Sequence, residues 1–219
     1  MRTRIYSIYR NWKNAWSNKA FRTDILMVAI LLPVVMFITH YFFCYIQGCI
    51  GRVMNDWILS RVPAIDVSFP IAFLMTSAII LCLLRAINNP NMFITALFAF
   101  TLLFLARIIT ISATRFMAPA GLIELKDPIC NLMYGPRFIT RDLFFSGHAA
   151  TLFLLYLCSY KKFDRYYTLF AAIIVGALLL VQHVHYTIDV VCAPLFSLVC
   201  FYIAKKIMAI HHAYARTYA

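Results

Sequence analysis

Charged residues divide this 219-residue chain into uncharged blocks of membrane-spanning length, and that spacing constrains its fold more than any other feature. No Asp, Glu, Lys or Arg falls within residues 25–51, 67–84, 86–106, 143–160, 166–188 or 190–204. A helix needs about 20 mostly apolar residues to cross a hydrocarbon core of roughly 30 Å. In lipid the backbone must satisfy its own hydrogen bonds, and these blocks lack the alternation of barrel strands. The sequence therefore predicts an all-α polytopic membrane bundle of six transmembrane helices, near 25–46, 69–87, 92–113, 144–160, 166–182 and 188–206. With 63% hydrophobic and only 13% charged residues, a soluble or disordered domain is excluded.

Six spans put both termini on one side. Residues 1–24, 85–91, 161–165 and 205–219 then hold thirteen Lys/Arg against Asp24 and Asp164. The opposite side carries six bases and six acids, and Arg107 is the one charge inside a span. Nearly all of the net +12 thus lies on one face, which the positive-inside rule assigns to the cytoplasm, termini included. So basic and apolar a chain is expected to meet a lipid bilayer, with anionic lipid on its basic side, and not nucleic acid. A second copy of the chain as partner stays open.

The first 24 residues do not read as a cleaved signal, because the apolar block that follows is too long. Ile5, Tyr9, Trp12 and Trp16 recur at helical steps among Arg2, Arg4, Arg10, Lys13 and Lys19, the pattern of an amphipathic helix lying in the interface. The expected organisation is this basic segment (1–24), a six-span catalytic membrane domain (25–207) and a basic cytoplasmic tail (208–219). Seven cysteines show no metal-binding spacing, and Cys49 and Cys130, both on the far side, could pair.

Ionisable residues near a membrane are informative. His40, His211 and His212 are explained by solvation or helix bridging. His148 begins the fourth span and His185 lies in the turn between the fifth and sixth, so topology brings them to one face. His185 and Asp189 are four apart and stack on one side of a helix. The carboxylate can fix the imidazole tautomer through Nδ1–H and leave Nε2 to react. Ser146 and Gly147 at a helix start offer backbone N–H groups to an anion. Two histidines, an acid and an anion cradle make a plausible phosphoryl-transfer site, with one histidine as nucleophile and the other as acid/base. Arg107, Arg137 and Arg141 are candidates for balancing phosphate charge, and Asp142 is a candidate orienting acid. His183 reads as a spectator. No metal ligand set or cofactor is expected.

The stretch Asp142-Leu143-Phe144-Phe145-Ser146-Gly147-His148, followed by His185-Tyr186-Thr187-Ile188-Asp189-Val190, closely resembles the two signature motifs of the sphingomyelin synthase family. That family lies within the wider type 2 phosphatidic acid phosphatase superfamily. Arg107-Ile108-Ile109-Thr110-Ile111 is similar to the family's third-span motif, and Pro63-Ala64-Ile65-Asp66 faintly to its first-loop motif. The resemblance implies a six-span enzyme with its site on the exoplasmic side. It implies His185 as nucleophile, Asp189 as its orienting partner and His148 as acid/base, without metal. Phe145 and Leu179 replace a proline and an arginine usual in the superfamily, as in the synthase branch, whereas Ala149 stands where the synthases have threonine.

The expected function is transfer of a phospho-head group from a membrane phospholipid to a lipid alcohol of ceramide or diacylglycerol type, through a phosphohistidine. The alternative is a lipid phosphate phosphatase using the same residues. A transporter, channel or scaffold is the rival outside enzymes; it would need broken helices at mid-membrane, and Pro33 is the main interior breaker.

Overall fold

In a computed structural model the chain is described over residues 2–128 and 139–217, with side chains described for 5–128 and 139–213. The described residues form helices α1 (Arg2–Ser17), α2 (Lys19–Gln47), α3 (Ser68–Ala86), α4 (Pro90–Thr114), α5 (Gly147–Cys158), α6 (Lys162–Val181) and α7 (Thr187–Thr217). A short 3-10 turn covers Leu59–Arg61. The described residues contain no named strand, only an isolated bridge between Arg52 and Phe116 that ties two loops together.

Local chemistry sets these boundaries. The Asn18 side chain accepts from the Ala20 amide at 2.9 Å and separates α1 from α2. Asn89 caps α4 in the same way, with Pro90 in the first turn where no amide donor is needed. Leu26, Ile30, Phe37, Phe69, Ile173 and Val191 are all exposed on the helix surfaces, an outward apolar coat suited to lipid. Among the described residues α2, α3, α4, α6 and α7 are long and apolar enough to cross a membrane.

The fourth expected span is shorter than its sequence suggests. The run 144–160 becomes a helix only over Gly147–Cys158, twelve residues or about 18 Å, too short to cross alone. Residues 141–146 are drawn into the site instead. α5 is also enclosed by protein, so its length need not match the bilayer. Its Ala149, Ala150 and Leu154 pack with Phe98, Leu103 and Ala193, and Leu152 packs with Ile71, Ala171 and Val175. At the other extreme, α7 continues to Thr217, well past the expected end at 206.

The two ends of the bundle are fastened differently. At one end Arg85 forms a two-pronged ion pair with buried Asp164, and His211 and His212 both engage buried Asp24 at 2.6 and 2.8 Å. The Trp12 indole donates to the Ile87 carbonyl at 2.8 Å, so this member of the N-terminal aromatic series turns inward while Ile5, Tyr9 and Trp16 remain exposed. The N-terminal helix and the distal part of α7 thus share an end with the basic turns. The loops 48–67 and 115–127 cover the other end.

Candidate functional site

The turn between α6 and α7 is held from every side. Gln182 is fully buried; it donates to Ser68 Oγ at 2.8 Å and the Glu124 carbonyl at 3.0 Å, and accepts from the Val67 amide. His183 adopts a left-handed φ of 56° and sets its two ring nitrogens against the carbonyls of Ala120 and Val62, at 2.8 and 2.9 Å. It clamps two loops, as a spectator would. Asp56 accepts from the Thr187 amide and hydroxyl and from the amides of Ile58 and Leu59. Burial pushes the Asp56 pKa up, but these hydrogen bonds outweigh it and hold the carboxyl below its ordinary value.

Within this frame His185 Nδ1 lies 3.2 Å from Asp189 Oδ2. His185 is 2% exposed and Asp189 0%. The two residues meet as the sequence suggests, but not as neighbours on one helix: His185 lies in the turn before α7 and Asp189 in its first turn, and Nε2 is the nitrogen turned away from the carboxylate. Asp189 does more than face the imidazole. Its carboxylate accepts from the Tyr186 amide at 3.1 Å and the Phe144 amide at 3.1 Å, and its carbonyl accepts from the Ser146 amide at 2.9 Å. Those bonds pull residues 144–146 against α7 and hold Phe144 at a left-handed φ of 67°, a conformation costing about 1–3 kcal/mol. Asp189 is therefore the joint between the two sequence motifs.

His148 follows, in the first turn of α5. Its Nε2 is 2.7 Å from Asp127 Oδ2, and Asp127 is 1% exposed. Sequence reasoning placed Asp127 on the correct face but gave it no role. The expected orienting acid, Asp142, pairs instead with Arg107. Arg107, 2% exposed, also donates to the Phe145 carbonyl at 3.1 Å. A methyl group on the Cα of Gly147 would force the Arg107 guanidinium out of this position.

Two other candidates have structural partners. Arg141 donates its backbone amide to Gln47 Oε1 and its guanidinium to the Cys49 carbonyl, which straps the chain to the end of α2. It does not line the cavity at His148. Ser146 is fully buried and its Oγ caps α5 by accepting from the Ala149 amide at 3.4 Å. Arg137, and Cys130 of the expected Cys49 pairing, lie outside the described residues.

His148, Arg107, Asp127, Asp142 and Gly147 form the polar end of a slot of about 200 Å³ between α3, α4 and α5. The remaining wall is almost wholly apolar. His185 is not among the residues lining this wall and is joined to the segment before α5 through Asp189. No group of three or more His, Cys, Asp or Glu suited to a metal ion occurs among the described residues.

Residues 141–206 match the family model for the PAP2 superfamily C-terminal domain. The match supports the type 2 phosphatidic acid phosphatase superfamily. With it comes support for an integral membrane enzyme of lipid phosphatase or phosphotransferase type. The matched stretch contains His148, His185 and Asp189 but neither Arg107 nor Asp127. No curated protein and no solved structure matches the chain.

Proposed function

We propose that the protein is a membrane lipid head-group phosphotransferase resembling sphingomyelin synthase, working through a phosphohistidine at His185. Nε2 of His185 attacks the phosphorus of a phospholipid, forming a P–N bond as the P–O bond to diacylglycerol breaks. His148 gives its proton to the departing oxygen, and Asp127 holds that ring in place. A lipid alcohol then loses its proton to His148 and attacks the phosphorus, releasing His185. Asp189 orients the nucleophile and stabilises the charge it acquires. The site lies at the end of the bundle opposite the basic termini, and the positive-inside rule supports an exoplasmic location for it.

The charge of the described part of the slot supports a diester over a monoester as substrate. Its described polar end has a single guanidinium, Arg107, already paired with Asp142, and a second carboxylate, Asp127. A phosphomonoester brings a charge of about −1.5 to −2 at neutral pH, and this arrangement is poorly suited to balance it. A phosphodiester brings one negative charge, the smaller load on a site whose described cations, Arg107 and a protonated His148, each already face a carboxylate. The substrate class favoured is therefore a phospholipid diester.

Purified protein incubated with labelled phosphatidylcholine, phosphatidylethanolamine or phosphatidic acid, with and without ceramide, tests this reading. The expected result is an acceptor-dependent new phospholipid together with diacylglycerol. Inorganic phosphate released from phosphatidic acid, with no new lipid in any mixture, would identify a phosphatase instead.

A further inference from the structure

The slot that begins at His148 does not end near it. It follows α4 from Arg107 down to Phe93 and Met92, and α3 from Met75 to Ala86. Fourteen residues separate Phe93 from Arg107, about 21 Å of helix at 1.5 Å per residue. One leaflet of a bilayer supplies only about 15 Å of hydrocarbon. The slot is thus longer than a single leaflet is deep, so a chain entering from a polar end at the membrane surface would reach past the midplane.

Its shape follows from how α3 and α4 are joined. The tight turn at residues 87–89 connects them, but they touch little beyond it, and α5 backs the gap. Leu83 belongs both to the slot wall and to the exposed apolar surface, so the slot opens sideways toward lipid between α3 and α4. The interior is apolar, with Phe100, Phe104 and Leu155 along its length.

The floor is built by a part of the chain that the chemistry does not use. Trp12 of α1 stands edge-on to Phe93 at 5.8 Å and to Phe21 at 6.3 Å. Its indole bonds the Ile87 carbonyl, and Asn11 bonds the Asn88 carbonyl at 3.0 Å. The amphipathic N-terminal helix is therefore fastened to the turn that closes the slot, with Phe93 between Trp12 and the cavity.

We propose that this slot takes one hydrocarbon chain of the lipid substrate, fully extended from the phosphate site past the midplane, and that Ala86, Met92 and Phe93, braced by Trp12, set the longest chain accepted. The proposal rests on the lipid-substrate reading above and adds to it a specificity-determining floor. The second chain of a two-chain lipid stays in the bilayer beside Leu83. A polar end that holds a phosphate and an apolar channel of fixed depth together make a ruler, because a chain too long for it must lift the phosphate from His148.

The test uses graded chain lengths and two readouts. Binding of single-chain alkylphosphocholines, from hexyl to eicosyl, is followed by the thermal stability of the purified protein; turnover is followed with matched phospholipids. Wild type should gain stability with each lengthening of the chain up to a cut-off and none beyond it. Ala96→Phe, which plugs the slot midway, should lower kcat/KM for palmitoyl and stearoyl substrates at least about tenfold more than for hexanoyl ones. Trp12→Ala should shift the cut-off to longer chains while short-chain turnover stays intact. Absence of a cut-off in wild type, or an equal loss at every length in Ala96→Phe, overturns the proposal. A cut-off in binding without any transfer upholds the slot and defeats only the transferase reading.

Discussion

Two histidine–carboxylate pairs occupy the same end of this bundle and are built in opposite ways. His185 and Asp189 lie four residues apart, in the turn before α7 and in its first turn, and the carboxylate accepts backbone amides from its own turn and from the segment before α5. His148 meets Asp127 across twenty-one residues, from a helix start to a loop, and at the shorter distance of 2.7 Å. The first pair is buried and held by hydrogen bonds to the backbone, as suits a nucleophile whose tautomer must not change. The second lines the slot, where a proton has to be delivered to and collected from oxygen atoms that come and go. Local construction accompanies burial here, and long-range construction accompanies access to the slot.

The sharpest way to break this comparison is to remove each pair in turn. His185→Ala should abolish turnover by on the order of 10⁴-fold or more, whatever the leaving group, and Asp189→Asn should cost about 10⁴-fold through the wrong tautomer. His148→Ala and Asp127→Asn should cost about 10²–10⁴-fold with natural phospholipids. For this second pair a nitrophenyl phosphodiester, whose leaving group needs no proton, should recover most of the loss. Steady-state assays of all four variants on both substrates decide it. Equal rescue for the two pairs would remove the distinction in roles, and an unimpaired Asp127→Asn would make that contact structural only.

Smaller effects probe the scaffold. Gly147→Ala pushes a methyl group into the Arg107 guanidinium and should destabilise the protein by about 1–3 kcal/mol. That corresponds to a drop of roughly 2–4 °C per kcal/mol for a chain of this size, measurable by thermal unfolding in detergent. The smallest expected effect concerns Asp56. Its folded pKa lies below the unfolded one, so its contribution is present above about pH 4 and is lost as pH falls through the folded value. Wild type and Asp56→Asn should therefore differ in melting temperature at neutral pH and converge in acid. A gap that is constant with pH would show that charge plays no part in capping α7.

What the sequence made legible follows from how local each feature is. Five long helices could be read because lipid demands uncharged runs, and the His185–Asp189 pair because the two are close in sequence, although a turn capped by Asp189 and not a continuous helix brings them together. The capping role of Ser146 has a local signature too. The Asp127 contact has none: an acid in a loop shares no period with a histidine in the next helix. Asp142 was the nearer carboxylate in sequence, but buried Arg107 claims it. The length of α5 misled for a similar reason. Its apolar run is long enough for a span, but Asp189 takes the amides of Phe144 and Ser146 and breaks the helix before Gly147. Trp12 belongs to an apparently continuous amphipathic stripe, and only the α3–α4 turn shows why it faces inward.

Trapping the covalent intermediate tests the central claim most directly. The protein is mixed with phospholipid labelled in the phosphate, without acceptor, then denatured in alkali and digested. The account predicts a label stable in alkali and lost in acid, carried by His185, with one diacylglycerol released per labelled site. It further predicts that added ceramide discharges the label into a new lipid. Label absent from wild type while head-group transfer proceeds, or equal labelling of His185→Ala, would contradict the phosphohistidine mechanism.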